Sequence, residues 1–270
     1  MPWVKAEPAK PLRPWIVGGY TGYVESSPGG VCRRELPFPG VPLIVSFGDE
    51  IAVSGPGGVR ARPQLVSFVA GLSDGPAITE HGGRQAGIQV NLTPLAAYRL
   101  LRMPMSELTN QVVGLDDLFG GIGAEFGERL AELPSWSARF ELLNAELGRR
   151  LEQAPPVSPD TAWAYRELSR CDGDMRIAEL SLRIGCSRRH LASRFRQQVG
   201  MTPKAFARVL RFHRVVRAVR AGLPGDWAEL AADAGYYDQP HLNREFLALS
   251  GVTPEGYREA LLPGGAGVAA

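Results

Sequence analysis

The sequence predicts an α+β chain: a β-rich N-terminal barrel or sandwich with a helical hairpin, then an all-α C-terminal domain built on two helix-turn-helix units. Three features carry that prediction. Short apolar runs broken by Gly and Pro occupy roughly Pro14 to Thr93, and helical periodicity replaces them afterwards. The stretch "RRHLASRFRQQVGMTPKAF", beginning at Arg188, is then echoed fifty-one residues later by "QPHLNREFLALSGVTPEGY".

The β-rich part consists of "WIVGGYTGYVE", "VPLIVSFGDEIAVSG", "QLVSFVAGL" and "AGIQVNL". Val, Ile, Tyr and Phe suit a pleated, half-buried backbone, and turn residues bound each run. After "LTP", the segments "LAAYRLLRM", "SELTNQVVGLDDLFG" and "IGAEFGERLAEL" read as helices, and a longer helix follows from Ser135 to Gln153. On that helix Phe140, Leu143, Leu147 and Leu151 form an apolar stripe at near-heptad spacing. The stripe either packs on the chain's own β-domain or supplies a dimerisation face. "APPVSPD", residues 154–160, is a Pro-rich linker. It separates a domain at 1–153, β-rich to about residue 95, from a helical domain at 161–262. The tail "PGGAGVAA", residues 263–270, has nothing to bury and is expected to be disordered.

Composition narrows the function classes. The 270 residues suffice for two domains and a sizeable core. No window approaches the roughly 18 consecutive apolar residues of a membrane helix. The opening "MPWVKAEPAKPLRPW" has prolines where a secretory signal has its apolar core, so a cytoplasmic location is expected. Cys32, Cys171 and Cys186 are scattered, with no CxxC pair, which indicates neither a disulfide framework nor a thiolate zinc site. The net charge of +2 is unevenly spread. Residues 171–262 hold fourteen Arg or Lys against ten Asp or Glu, and the remainder holds sixteen against eighteen.

The repeat extends upstream, where "IAELSLRIG" at 177 aligns with "WAELAADAG" at 227. Each copy reads as a helix, a turn opening at Gly, and a second helix, spanning about 177–198 and 227–249. Gly185 and Gly235 suit a left-handed stop, and Ser187 and Asp238 stand where an N-cap belongs. Leu191 and Phe195, like Leu242 and Phe246, lie four apart on one face and should pack on the preceding helix. Gly200 and Gly251 end the second helices, and "TP" opens the next ones. The outward faces are what differ: Arg188, Arg189, Ala192, Ser193 and Arg196 in the first copy, Gln239, Pro240, Asn243 and Arg244 in the second. Such side chains bond phosphates or base edges, Arg to guanine and Asn or Gln to adenine. Lys204 to Ala221 reads as one helix joining the two units. Arg211, Arg214 and Arg217 on its polar side either contact phosphate or serve structural ion pairs. His190 and His241 could be taken for a paired metal site, but each adjoins a core Leu in its own copy, so none is expected.

On these residues, "IAELSLRIGCSRRHLASRFRQQVGMTPKAFARVLRFHRVVRA" and "WAELAADAGYYDQPHLNREFLALSGVTPEGYR", the segment from about 163 to 261 resembles the DNA-binding domain of the AraC/XylS family of bacterial transcription regulators. The resemblance covers a little over a third of the chain. It implies that both second helices enter successive major-groove faces of double-stranded DNA, and that the N-terminal domain binds a small-molecule effector or dimerises. RNA polymerase is an implied partner of an activator. Carried over by position, Arg189, Ala192 and Ser193 would face bases in the first copy, and Gln239, Pro240, Asn243 and Arg244 in the second. Pro240 and Ala192 offer no donor, which reduces the direct contacts available.

The N-terminal half resembles the cupin-like sensor domains that often precede this module, without their HxH metal motif. Tyr20, Tyr23 and His81 are the weak effector-site candidates, with Trp15 a further aromatic; the competing reading is core for the aromatics and a turn for His81. No cofactor or metal is expected. The alternatives are a metal-dependent cupin-type enzyme, a DNA-repair protein carrying the module, or an adaptor that no longer binds DNA. The polar outward faces speak against the last.

Overall fold

The computed structural model describes residues 3–56, 65–120, 122–222, 226–261 and 268–269. Its strands are β1 (Trp3–Ala6), β2 (Ile16–Ser26), β3 (Val31–Glu35), β4 (Val41–Ser46), β5 (Ile51–Ser54), β6 (Phe68–Ala70), β7 (Ala77–His81), β8 (Arg84–Leu92), β9 (Val112–Gly114) and β10 (Val268–Ala269). They form two antiparallel sheets, ordered β1-β2-β8-β4-β6-β9 and β10-β3-β7-β5. The expected barrel or sandwich is thus two sheets rather than a closed barrel. Strands β1, β3, β7, β9 and β10 lie outside the runs read from sequence. "VCRRE" and "AITEH" are too polar to announce themselves and draw their order from pairing with each other, Arg34 opposite Ile78. "SELTNQVVGLDDLFG" is corrected from a helix: Val112–Gly114 pairs with Phe68–Ala70, and a helix starts only at Leu115. Two β-branched residues beside an unpaired strand edge outweigh the helical flanks.

The N-terminal helices are α1 (Pro94–Leu101), α2 (Leu115–Phe119), α3 (Ile122–Glu132) and α4 (Trp136–Glu152). Thr93 caps α1, its hydroxyl accepting the Ala96 N–H at 3.1 Å with Pro94 at the first helical position. Ser135 caps α4 through the Ala138 N–H. Helix α4 lies directly on the larger sheet: a Cβ at Gly22 would fall 2.5 Å from the Trp136 ring, so only glycine fits there. Phe140, Leu143, Leu147 and Leu151 are all buried in the main core, Phe140 stacking on Tyr20 at 5.7 Å. The dimerisation face read at these four positions is therefore corrected to core. The sheet's apolar outer face has to be covered, and α4 covers it.

The C-terminal helices are α5 (Pro159–Arg170), α6 (Ile177–Ile184), α7 (Arg188–Val199), α8 (Pro203–Arg220), α9 (Trp227–Asp233), α10 (Gln239–Ser250) and α11 (Pro254–Glu259). The link from α4 to α5 is pinned by two arginines of the first domain. Arg99 donates to the carbonyls of Leu151 (2.6 Å) and Pro155 (3.2 Å), and Arg102 to that of Gln153 (2.9 Å). Most of residues 263–270, where disorder is expected, lies outside the described residues; Val268 and Ala269 pair with Arg34 and Arg33 of β3. No helix among the described residues is long and apolar enough to cross a membrane.

Candidate nucleic-acid interface

The two units repeat in atomic detail. Gly185 and Gly235 both sit at φ +77°, the left-handed conformation that stops α6 and turns the chain after α9. The next amide reaches back five residues in each copy, Cys186 N–H to the Ser181 carbonyl (3.1 Å) and Tyr236 N–H to the Ala231 carbonyl (2.9 Å). Ser187 and Asp238 then cap the second helices by accepting the N–H of His190 (3.1 Å) and His241 (2.7 Å). Thr202 and Thr253 cap α8 and α11 through Ala205 and Gly256. Even the packed rings correspond. Phe195 meets Phe206 at 5.8 Å and 54°, and Phe246 meets Tyr257 at 5.6 Å and 55°. Leu191, Phe195, Leu242 and Phe246 are buried, as their spacing predicts.

This scaffold turns the remaining side chains outward. Arg188, Arg189, Ser193 and Arg196 are exposed on α7, with Ala192 half-buried between them. On α10, Pro240 and Arg244 are exposed, and Gln239 and Asn243 are half-buried. Among the described residues no partner is found for Arg188, Arg189, Arg194, Arg196 or Arg244. Gln239 and Asn243 line an open cleft of about 280 Å³ with Trp227 and Glu255, whose side chains hydrogen-bond at 3.1 Å. Tyr237, just ahead of α10, is 93% exposed and escaped the sequence reading. Its neighbour Tyr236 is buried, so an aromatic pair that looks like one core patch divides between core and surface. Leu182 on α6 is likewise 81% exposed, apolar against its pattern.

Most of the connecting-helix arginines are structural. Arg208 and Arg211 both bond Glu245 of α10, at 2.9 and 3.4 Å, and Arg211 also lies 5.5 Å from the Tyr236 ring centre. Arg217 grips Asp172 through both carboxylate oxygens at 3.0 and 3.1 Å. Arg220 donates to the Tyr257 hydroxyl at 2.8 Å. His241 packs edge-on against Tyr236 at 5.3 Å and faces Glu245 at 3.7 Å, whereas His190 is exposed. No group of three or more metal-ligating side chains occurs among the described residues.

Helices α7 and α10 are both fastened by their C-terminal ends to the N-terminal domain. The Thr109 hydroxyl donates to the Gly200 carbonyl at 2.7 Å, and Arg34 donates to the Ser250 carbonyl at 3.1 Å. Phe38 also meets His213 of α8 edge-on at 5.1 Å. Burial, with Arg217 and Arg220 nearby, pushes the His213 imidazole down to about 4.

The effector candidates separate. Tyr20 and Tyr23 face opposite sides of β2: Tyr20 is in the helix-side core, bonding Asn144 at 2.8 Å, and Tyr23 adjoins Trp3. They cannot line one pocket. Trp15 lies under the Arg99 guanidinium, 4.7 Å away. His81 ends β7 with its side chain buried, its Nδ1 accepting the Gly83 N–H and its Nε2 3.7 Å from Glu25. Arg33 grips both oxygens of that carboxylate. Burial lowers the His81 pKa against the pull of Glu25. Glu25 and Arg33, eight residues apart across a turn, escaped the sequence reading.

A β-sandwich followed by two like units on one connecting helix defines a two-part helix-turn-helix protein. A helix-turn-helix domain family matches residues 180–260, and a domain of unknown function (DUF6597) matches residues 4–114. Comparison with curated proteins finds no match. Among solved structures, apo ToxT K231A from Vibrio cholerae is 10% identical with a TM-score of 0.50, over 90% of this chain and 98% of that one. The C-terminal domain of AraT, a response regulator from Geobacillus stearothermophilus, is 20% identical with a TM-score of 0.36, over 39% of this chain and 88% of that one. Residues 180–260 thus match a helix-turn-helix family, and the chain takes a two-part fold similar to that of ToxT.

Proposed function

We propose that the chain is a sequence-specific DNA-binding transcription regulator rather than an enzyme. Residues 161–262 read double-stranded DNA, residues 154–160 link, and residues 1–153 sense a small-molecule effector. Helices α7 and α10 enter successive major-groove faces, α8 setting their separation near one DNA turn, roughly 34 Å. Arg189 and Ser193 on α7, and Gln239, Asn243 and Arg244 on α10, contact base edges, with Ala192 and Pro240 in apolar contact beside them. Arg188 and Arg196 hold phosphates. A dimer would form through a surface other than the buried stripe on α4, and an activator would also meet RNA polymerase.

The observation that carries this reading is the set of partner-free basic and amide side chains displayed outward by two identically capped helices. The core residues Leu191 and Phe195 recur as Leu242 and Phe246, while the outward residues assigned to DNA differ at every matched position, as expected of one scaffold reading two different sequences. Selection of genomic fragments with the purified full-length chain should yield one recurring site, and gel-shift affinity for it should fall steeply with salt. Failure to enrich any sequence over bulk DNA would overturn the proposal.

A further inference from the structure

We infer that α10 recognises thymines by their 5-methyl groups, through an apolar stripe at Pro240 and Leu247. The inference deepens the DNA-reading proposal above and rests on it. Single exposed apolar residues are ordinary on a protein surface, so register is what sets these two apart. A shift of fifty-one residues maps Arg189 to Pro240, Arg196 to Leu247 and Gln197 to Ala248. All six are exposed, Leu247 to 48%. The same outward stripe is therefore basic and polar on α7 and apolar on α10, with exposed Arg244 between Pro240 and Leu247. Tyr237 carries that apolar character ahead of the helix. It is the residue by which the second turn exceeds the first, and its N–H reaches His241 Nδ1 at 3.4 Å.

Groove chemistry selects what such a stripe can touch. The major groove offers one apolar group on the unmodified bases, the thymine methyl, and apolar side chains contact it as arginine contacts guanine. Helix geometry sets the spacing. Pro240 and Leu247 are two turns apart, about 10.5 Å along the axis at about 1.5 Å per residue, which is the rise of about three base pairs.

The pattern also argues against a protein partner on this stripe. Two apolar side chains parted by an arginine make no continuous patch, and a stable protein interface buries roughly 800 Å² on each partner. They suit two separate methyls instead. The half-site under α10 should therefore carry two thymines about three base pairs apart, with a guanine for Arg244 between them.

Deoxyuridine lacks only that methyl and keeps every hydrogen-bonding group of thymidine, so it isolates the contact. The site recovered by genomic selection is remade with each thymine replaced singly by deoxyuridine, and gel shifts with the full-length chain compare the duplexes. Replacement at each of two thymines about three base pairs apart should weaken binding about four-fold, the worth of one buried methyl. Leu247→Ala should weaken the unmodified duplex by a similar factor and make one of those positions indifferent to the methyl. Pro240→Gly should do the same at the other. Both side chains are exposed, and Leu242 and Phe246 carry the core, so these variants keep the fold. Unchanged affinity for every deoxyuridine duplex would overturn the inference. So would a Leu247→Ala variant that separates thymine from uracil as the parent does, a result that places the stripe against a protein partner. Recovery of no site at all sinks the regulator reading and this inference with it. A recovered site indifferent to its methyls sinks this inference alone.

Discussion

The two helix-turn-helix units share caps, turns and ring geometry, yet they are embedded differently. Leu180, Leu191, Phe195 and Phe206 of the first belong to the same continuous core as Val41, Ile88 and Leu130 of the N-terminal domain. Leu230, Leu242, Phe246 and Tyr257 of the second form a separate core with the far half of α8. One repeated sequence therefore gives two units of different mechanical standing. The first is built into the body of the protein, and the second hangs from α8 with a few contacts from β3 and the loop after it.

The sharpest way to break that comparison is to remove the matching ring from each copy. Phe195→Ala and Phe246→Ala should each cost about 3–5 kcal/mol, because both rings are fully buried. Hydrogen exchange should then diverge. Phe246→Ala should release amides of 226–261 while leaving α1 and α7 protected, and Phe195→Ala should loosen α7 and α1 together. The same protection pattern in both variants would mean that one core spans the domain.

Next in size are the fastenings at the helix ends. Arg34→Ala removes a charged hydrogen bond to the Ser250 carbonyl and should cost about 1.5–3 kcal/mol, whereas Thr109→Val removes a neutral one to the Gly200 carbonyl, about 1 kcal/mol. The larger loss should appear in the second unit alone, as lower protection of α10 and α11. If Arg34→Ala leaves those amides untouched, α8 by itself holds the second unit.

The repeat made the C-terminal fold legible, because each shared residue has one physical job. Gly185, Ser187, Phe195 and Thr202 name a stop, a cap, a core ring and a restart, and their partners at 235, 238, 246 and 253 repeat the list. Embedding was not legible, since neither Arg34 nor Thr109 carries a local signal and their partners are backbone carbonyls 216 and 91 residues away. Within the N-terminal half, strands with clear apolar runs were readable, while polar β3 and β7 were not. Their order comes from pairing with one another. The stripe on α4 showed that something covers it without showing what, and the sheet beneath it supplied the answer. Tyr236 and Tyr237 show the same limit at the candidate interface, where one step along the turn separates core from open surface.

The outward faces of α7 and α10 give a third contrast. Helix α7 displays four arginines without acid, while α10 displays one arginine beside amides and ties down Glu245. Arg196→Ala should weaken all sequences evenly and lower the salt slope by about 1, and Arg244→Ala should cost about 1–3 kcal/mol at one base pair and relax preference there. Gel shifts against site variants at several salt concentrations check both. An even loss from Arg244→Ala would reassign it to phosphate.

The last effect is absent at neutral pH. His213 lies on α8 where the second unit meets Phe38, faced by Arg217, Arg220 and Asp172. Burial first, then the two arginines, holds its folded pKa down to about 4, below the ordinary value of about 6.5. Between those values the unfolded chain takes up a proton that the folded chain refuses. Stability should therefore fall as pH drops from about 6.5 to about 4 and level off below. His213→Gln removes that titration, so the stability difference between parent and variant, followed by urea unfolding, should be flat above pH 7 and slope only within the window. Because carboxylates remote from the site titrate equally in both proteins, the difference isolates His213 and its neighbour Asp172. A flat difference throughout would place the imidazole in water and remove Phe38 from the contact that steadies the second unit.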